Sequence, residues 1–243
     1  LWTRIEKRRK VAGFRPLAAV VTFAAAVLWF APAWLGREPE APDSALTAQM
    51  QGQVRAEDAL VAGPAGVKLL SGGVGRHILA NPTRRELDRL FKALRPLEDQ
   101  FDLIVIDHGA GVSYATVTHL AAATTLLLVT NHEVTALSDG YALYKRAHLA
   151  NPAIRVGLVV NRSPDEGRAR SAWERFQSAA QRFLGHAPEL VGWVPYDPAV
   201  LRSVEQRVPV TLLEPDSPAA RAIEGVAHWA PIEQSKGARG FFD

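Results

Sequence analysis

The 243-residue sequence contains no cysteine, so disulfide bridges and thiolate metal sites are excluded. This composition is compatible with a reducing cytoplasm. An excess of one charge is also lacking, because 28 basic and 25 acidic residues leave a formal net charge of +3. Such a small excess gives no electrostatic reason to expect a nucleic-acid partner. The length suits one large α/β domain with a sizeable core.

The amino-terminal region combines a basic cluster with a long uncharged run. The cluster, TRIEKRRK, is typical of a solvated flank, and its functional interpretation is contact with an anionic membrane surface. Residues 17–35 then contain no charged side chain, and this run is long enough to span a bilayer. A spanning segment here would place the rest of the chain outside the cytoplasm if the basic flank stays inside.

Three structures can be considered for the uncharged run. Because the run is rich in alanine and contains Pro32, membrane insertion would be marginal, and we expect residues 17–30 to form one buried or interfacial helix. A membrane anchor is the second interpretation. The third is a first strand at 17–23 with a remnant of a second strand at 27–30. Those two strands could not be parallel neighbours, because a parallel crossover needs about a dozen residues.

The stretch FDLIVIDHGAGVS at 101–113 is the most informative part of the chain. Its uninterrupted apolar run predicts a central parallel strand covered on both faces. Asp107 then lies at the carboxyl edge, where open α/β sheets bind ligands. There it would hold Mg²⁺ through water, and Gly109 to Gly111 would form a nucleotide-sensing switch, since glycine lets the backbone approach a phosphate. The alternative is that Asp107 caps the following turn.

The rest of the pattern alternates short apolar runs with helical periodicity. Thr83 and Glu86 form a capping box at the start of one helix. Such alternation predicts an α/β fold of βαβ units, with a doubly wound, mostly parallel sheet flanked by helices and an incomplete first βαβ unit. The predicted strands are 67–70, 103–106, 126–130, 154–160 and 190–194, and the predicted helices are 83–97, 114–123, 136–149, 168–184 and 199–206.

Five stretches occur in an order and spacing that resemble the MinD/ParA class of deviant P-loop ATPases. The resemblance is greatest to the flagellar-number regulators FlhG/FleN, also called YlxH. It covers about four-fifths of the chain. The stretches are AGPAGVKLLSGGVG (62–75), FDLIVIDHGAGVS (101–113), LLLVTNHEVTALSDGYALYK (126–145), IRVGLVVNR (154–162) and LVGWVPYDPAVLRSV (190–204).

The sequence departs from this family at the phosphate loop. Family members open with a strand and a KGGVGKT-type loop, whose backbone amides and lysine hold the phosphates. Residues 15–35, in the corresponding place, contain neither glycine nor lysine, so the Walker A loop is missing. SGGVGR at 71–76 lacks the Lys-Ser/Thr pair and matches a structural turn of the family. His108 stands where the family usually has Thr or Ser, and the family's catalytic aspartate would fall near Ala31.

The resemblance also implies roles for residues near the nucleotide base. Asn161 matches an asparagine that contacts adenine, and a carboxamide offers suitable donors and an acceptor. Pro195 and Asp197 belong to a loop that closes over adenine in relatives, chiefly through its backbone. Both assignments have a structural alternative. Asn161 could cap the loop that follows its strand, and Pro195 to Asp197 could form a plain turn. Glu133 and Asp139 match positions near the nucleotide and the dimer face, where solvated charges are also common.

The resemblance further implies ATP or ADP and Mg²⁺ as cofactors, a homodimer, and a flagellar assembly or regulatory protein as partner. It places the protein in the cytoplasm, peripheral to or anchored in the inner membrane, as a regulator of flagellar number or placement. A non-catalytic pseudo-ATPase is the first alternative. A membrane-anchored polysaccharide-export tyrosine kinase is the second, although such kinases have tyrosine-rich tails and no tyrosine here lies beyond Tyr196.

The predicted organisation divides the chain into three parts. Residues 1–35 are a degenerate or truncated start of the domain, 36–230 form the MinD/ParA-like domain, and 231–243 are a carboxyl-terminal tail. The composition of 11–35 is one that a shifted reading frame in GC-rich DNA produces. A damaged ATP-binding start is therefore expected, and reading the coding DNA upstream of codon 34 in all three frames tests it.

Overall fold

A computed structural model describes residues 17–23, 57–63, 67–70, 83–97, 100–101, 103–108 and 112–229. Several sequence-based predictions lie outside these residues. They concern the basic cluster, the run after Phe23, the turn at 71–76, Gly109 to Gly111, and the carboxyl-terminal tail.

The described chain forms a five-stranded sheet and a separate two-stranded sheet, with helices around them. The order in the larger sheet is β4-β1-β5-β6-β7, and every neighbouring pair in it is parallel. The strands are β1 (Leu17–Phe23), β2 (Leu60–Ala62), β3 (Lys68–Leu70), β4 (Leu103–His108), β5 (Thr125–Thr130), β6 (Arg155–Ser163) and β7 (Glu189–Pro195). The helices are α1 (Arg84–Leu94), α2 (Tyr114–Ala122), α3 (Val134–Ala150), α4 (Glu166–Leu184), α5 (Pro198–Gln206), α6 (Val210–Leu213) and α7 (Pro218–Trp229), with short 3-10 turns at Glu57–Ala59 and Arg95–Leu97.

The first strand corrects the prediction of one helix over 17–30. Residues Leu17–Phe23 form β1, which lies between β4 and β5 and pairs in parallel with both. The helix prediction is wrong for these seven residues, and the strand alternative is right for them. Paired on both sides within the sheet, they cannot belong to a membrane-crossing helix. Of the helices in the described parts of the chain, none combines the length and the apolar character that crossing a membrane requires.

The predicted strand at 67–70 exists but has a different neighbour. It forms β3, which pairs with β2 as an antiparallel hairpin outside the main sheet. The amide of Gly63 donates to the carbonyl of Val67 at 2.8 Å, which closes the turn. Strands this short fall below the length at which apolar periodicity is informative, so β2 had no signal in the sequence.

Helix boundaries follow the local capping chemistry. The predicted capping box is confirmed at α1, where Thr83 Oγ1 accepts from the Glu86 amide at 3.3 Å and the Glu86 carboxylate accepts from the Thr83 amide at 2.7 Å. Asp165 caps α4 by accepting from the Arg168 amide at 2.7 Å. Gly185 ends that helix with a φ of 77°, in the left-handed region that glycine adopts without strain.

The sheet has one thickly covered face and one partly covered face. On the first face, α2, α3 and α4 enclose a core centred on the strand residues Leu126, Leu128 and Leu158. On the second, Val129 and Val159 pack with residues of α7. Val105 is 55% exposed on β4, which is one of the two edge strands of the described sheet, so the prediction that this strand is covered on both faces is wrong there.

Gly157 on β6 lets the last helix approach the sheet. A Cβ at this position would lie 2.4 Å from Val191 Cγ2 and 2.5 Å from the Trp229 ring. We expect Gly157→Ala to lower the free energy of unfolding by about 1–3 kcal/mol, because the added methyl group overpacks this contact. Urea denaturation measures the change. Gly225→Ala is the matched control, since its Cβ would meet nothing within 4 Å, and an equal loss in both variants would contradict this explanation.

Candidate functional site

The carboxyl ends of β1, β4, β5, β6 and β7 meet at one edge, because all five strands are parallel. After β1 the chain passes to β4 on one side of β1 and then to β5 on the other side. This reversal beside β1 is the kind of topological switch point where open α/β sheets bind ligands. We therefore take this edge as the candidate site.

Asp107 lies at this edge as the penultimate residue of β4, in register with Val21 of β1. The residue is exposed, although partial desolvation raises the pKa of its carboxyl group above the usual value. The described residues include no cluster of three metal-ligating side chains. A single solvent-accessible carboxylate suits Mg²⁺, which keeps several waters and is commonly completed by substrate phosphates rather than by an all-protein cage.

His108 does not supply a positive charge to the site. Its ring lies 4.7 Å from that of His119 on α2, measured between centroids. Burial lowers the pKa of His108 to about 4. Burial, with a smaller contribution from His108, lowers the pKa of His119 to about 3. Both rings are therefore neutral at pH 7 and cannot replace the missing lysine.

Asn161 lies within β6, two residues before its end, because this strand is longer than predicted. Its Oδ1 accepts from the Arg162 amide at 2.9 Å, and Arg162 has a φ of 56° in the left-handed region. The Nδ2 group has no partner among the described residues and can donate two hydrogen bonds. Adenine ring nitrogens accept such bonds, so a contact between this carboxamide and adenine stays a prediction.

The loop after β7 is fixed by its own hydrogen bonds. The Tyr196 amide donates to the Ser163 carbonyl at 2.9 Å, which ties the loop to β6. Asp197 Oδ1 accepts from the Ala199 amide at 2.9 Å and Oδ2 from the Ala219 amide at 3.0 Å. Both carboxylate oxygens therefore cap helices, α5 and α7. The Asp197 carboxylate is therefore not available to a ligand, and contact of the loop backbone with a base stays a prediction.

We expect Asp197→Ala to destabilise the fold more than the loss of one cap. The variant should lose about 1–3 kcal/mol, because each lost cap costs roughly 0.5–2 kcal/mol. Asp165→Ala, which removes a single cap from α4, is the matched control. Urea denaturation of both variants measures the difference. Equal losses would contradict the double-cap interpretation.

The same carboxylate predicts a pH dependence of stability. Hydrogen bonding, chiefly from the Ala219 amide, lowers the pKa of Asp197 below its usual value. The folded pKa lies below the unfolded one, so this stabilisation is complete above the unfolded pKa of about 4 and is lost as pH falls through the folded pKa. Wild type and Asp197→Ala should therefore converge in stability in strong acid.

The candidate residues are spread along the edge rather than clustered. Asp107 on β4 is three strand spacings from Asn161 on β6, or about 14 Å at 4.8 Å per spacing. Pro195 and Asp197 lie one spacing further. A ligand that contacts all of them must be elongated, with one end at β1 and β4 and the other at β6 and β7. This arrangement fits the phosphate and base ends of a nucleotide.

The turn after β5 brings Thr130 and Asn131, which the sequence analysis did not place in the site, to the same edge as Glu133, which it did. Thr130 ends β5 and is buried. Asn131 Oδ1 accepts from the Glu133 amide at 2.8 Å and shapes the turn into α3. Glu133 is the N-cap residue of α3 and is exposed. Its side chain makes no capping hydrogen bond, so its carboxylate is available to solvent. An asparagine directly after a buried strand is the signal that could have identified this turn.

Helix α7 was also missed, although the sequence carries its signals. Ser217 Oγ accepts from the Ala220 amide at 3.2 Å, and Pro218 follows as the first helical residue. A serine followed by proline is a typical helix start. This helix supplies the Ala219 amide that Asp197 caps and therefore helps to fix the loop after β7.

Comparison of the sequence with known proteins identifies relatives of this chain. No protein-family model matches the chain. The antiactivator FleN of Pseudomonas aeruginosa is 30% identical over 188 residues, which are 76% of this chain and 66% of FleN. An uncharacterised ATP-binding protein of Methanocaldococcus jannaschii is 29% identical over 178 residues, 73% of this chain and 63% of that protein. The chain thus spans just under two-thirds of the length of both relatives.

The fold has solved counterparts. The septum site-determining protein MinD of Pyrococcus horikoshii, solved in complex with Mg-ADP, superposes with a TM-score of 0.64 and 22% identity, covering 88% of this chain and 82% of that one. This likeness shows that the two share a fold. Together with the similarity to FleN, it confirms the resemblance found in the five sequence stretches. The chain belongs to the MinD/ParA family of P-loop ATPases and is similar to FleN.

Proposed function

We propose that this chain is a MinD/ParA-like nucleotide-binding regulator of flagellar number or placement, acting as a nucleotide-dependent homodimer at the inner membrane face. The position of β1 carries this proposal. Lying between β4 and β5, it ends beside Asp107, where the opening strand of the family leads into the phosphate site. The flagellar role rests on the similarity to FleN.

ATP or ADP with Mg²⁺ is the ligand that fits this edge. Asp107 would hold the hydrated metal ion, and Gly109 to Gly111 would follow the state of the phosphates. The Asn161 amide would donate to the base, and the backbone of Pro195 to Asp197 would cover it. Bound Mg²⁺ would supply charge neutralisation for the phosphates.

Exposed apolar side chains around the same edge support the homodimer. Val112 and Tyr114 precede and begin α2, Val134 begins α3, and Tyr196 follows β7, and all four are exposed. Apolar side chains gathered at one edge are typical of an interaction surface. A second copy facing this edge would cover them and enclose the nucleotide. Sedimentation at saturating Mg·ADP or Mg·ATP tests this, and a monomer under both conditions would contradict it.

A non-catalytic binding module is the second candidate. The absence of glycine and lysine from 15–35 favours it, because the phosphates then lack their cradle and the charge that neutralises them. In this function the sheet and the switch surface would bind the partner without turnover. The flagellar assembly or regulatory protein would remain the partner in both candidates.

Deleting the gene in its own host and counting flagella by electron microscopy tests the proposed role. We expect a changed number or placement, restored by the wild-type gene. The Asp107→Ala gene should fail to restore it if nucleotide sensing is required, and should succeed if the chain is a nucleotide-independent module. Asp88→Ala, an exposed change on α1, is the control. An unchanged flagellar count in the deletion strain would contradict the flagellar role.

A further inference from the structure

Two histidine side chains meet at the edge of the sheet opposite the candidate nucleotide site. His148 lies in the last turn of α3, and His186 lies in the loop between α4 and β7. Their ring centroids are 4.2 Å apart, with an angle of 58° between the rings. Asn151, directly after α3, donates to the Ala123 carbonyl before β5 at 2.9 Å, which places the pair at the amino ends of the strands. The pair is therefore separate from Asp107.

Tyr144 of α3 orients the His186 ring. The Tyr144 hydroxyl and His186 Nδ1 are 2.7 Å apart and form a hydrogen bond. Tyr144 is only 1% exposed and packs edge-on against the Phe176 ring of α4, with centroids 5.9 Å apart, so it is a fixed partner. A hydroxyl can accept as well as donate, so His186 Nδ1–H can donate to it and leave the lone pair of Nε2 for a ligand. Among the residues that the structure describes, none forms a hydrogen bond with this Nε2.

His148 is half-buried and offers a second imidazole beside the first. Burial lowers the pKa of His148, His186 lowers it further, and the Pro152 carbonyl opposes both effects. The ring is therefore neutral at pH 7, which is the form of imidazole that binds metal ions. A carbonyl that accepts from one ring nitrogen leaves the other nitrogen for the metal, and ligating histidines are commonly oriented in this way.

The geometry points to a binding site for a divalent transition metal of the zinc class, held by His148 and His186 and completed by water. Imidazole nitrogen is a preferred ligand of such ions. With Zn–N bonds of about 2.0–2.1 Å, two imidazoles on one tetrahedral ion have ring centroids about 5 Å apart. The observed pair is within roughly 1 Å of that separation. His186 is exposed in a loop, so it can make this small adjustment while His148 stays on its helix.

The chemistry of this pair differs from that of the Asp107 edge. Within the described parts of the chain, no third metal-ligating side chain joins the two histidines, so water fills the remaining positions. Mg²⁺ and Mn²⁺ prefer carboxylate, carbonyl and water oxygens and should not occupy a site whose protein ligands are both imidazoles. A bound zinc-class ion would tie the end of α3 to the loop before β7.

Calorimetric titration of the untagged protein with Zn²⁺ tests this inference without nucleotide. We expect saturable binding whose affinity falls at least about tenfold in His148→Gln and in His186→Gln, since the loss of an outer-shell partner alone costs about 10- to 100-fold. His228→Gln removes an exposed histidine from α7 and is the matched control, which should bind like wild type. Mg²⁺ or Mn²⁺ in place of Zn²⁺ should give no binding that depends on the two histidines.

A further variant tests the orientation of His186. Tyr144→Phe keeps both imidazoles and removes only the hydroxyl, so the Zn²⁺ affinity should fall about 10- to 100-fold. Thermal unfolding without metal shows whether each variant is folded. Zn²⁺ should raise the unfolding midpoint of the wild-type protein and should not raise that of His148→Gln/His186→Gln, because an ion that binds only the folded state stabilises it.

Three results would overturn the inference. One is absence of Zn²⁺ binding to the wild-type protein. Another is equal affinity in the wild type and in folded His186→Gln, which changes an exposed loop residue and therefore stays informative if His148→Gln does not fold. The third is an equal loss in His228→Gln, which would mean that Zn²⁺ binds adventitiously to surface histidines.

Discussion

Calorimetric titration with Mg·ATP is expected to show affinity about a thousandfold or more below that of relatives with an intact phosphate loop. The physical reason is that residues 15–35, which include β1 and the chain that follows it, contain neither glycine nor lysine. Each charge-assisted hydrogen bond to phosphate contributes roughly 1.5–3 kcal/mol, and several are lost together. A loss of 1.4 kcal/mol is tenfold in affinity. His108 cannot compensate, because its ring is neutral at pH 7.

Hydrolysis should be undetectable for the same reason, since the charge that would stabilise the transition state is absent. Any residual binding should depend on Mg²⁺ through Asp107. In Asp107→Ala this magnesium dependence should shrink, whereas Asp88→Ala, a change at an exposed position of α1, should behave like wild type. Micromolar affinity for Mg·ATP in the wild-type chain would contradict this prediction and show that the phosphates are held by another means.

Removal of residues 1–35 is expected to abolish cooperative folding. In the described structure, β4 is joined to the rest of the sheet only through β1, which aligns six of its residues with β4 and five with β5. At roughly 1 kcal/mol net for each lost hydrogen bond, the loss is about 10 kcal/mol. A typical domain has only 5–15 kcal/mol of net stability. Thermal unfolding followed by circular dichroism should show a broad, weak transition.

A variant that starts at Leu17 is the control, because it retains β1. This variant should unfold cooperatively, near the wild-type midpoint. If instead the chain starting at Gly36 unfolds as sharply as wild type and at the same temperature, β1 contributes little. The domain would then begin at residue 36, as the sequence analysis predicted for its boundary.

The misprediction at β1 shows where sequence patterns fail. A short apolar run such as Leu17–Phe23 fits a buried strand and a buried helix equally well. The helix was preferred because two strands at 17–23 and 27–30 could not be parallel neighbours. The deciding factor is tertiary. The neighbours on both sides of β1, at 103–108 and 125–130, offer unpaired backbone groups that only a strand can satisfy. This information lies about a hundred residues away in the chain.

Elements with strong local signals were predicted well. The capping box at Thr83, the glycine stop at Gly185 and the apolar strand before Thr130 all encode their boundaries within a few residues. Asp197 shows the limit of such signals. A plain turn was one interpretation of this loop, but the second cap that Asp197 makes depends on Ala219, which is distant in sequence. Proximity in space therefore decided the function of this side chain.

The candidate site was predictable in position but not in detail. The apolar run before Asp107 placed that carboxylate at the sheet edge, where the structure has it. The pairing of Asn161 Oδ1 with the adjacent amide was not predictable, because it depends on the left-handed backbone of Arg162. Such a conformation in a residue other than glycine has no sequence signature.

Paramagnetic broadening by Mn²⁺·ADP tests the central claim most directly, namely that the carboxyl edge of the sheet is a metal–nucleotide site. Mn²⁺ replaces Mg²⁺, and the broadening of amide signals in ¹⁵N-labelled protein reports weak binding as well as tight binding. We predict that the signals of Asp107, Asn161 and Tyr196 broaden, while those of Leu149 and His186, at the opposite edge, stay sharp. Broadening at the opposite edge, or none at any concentration of Mn²⁺·ADP, would contradict the account.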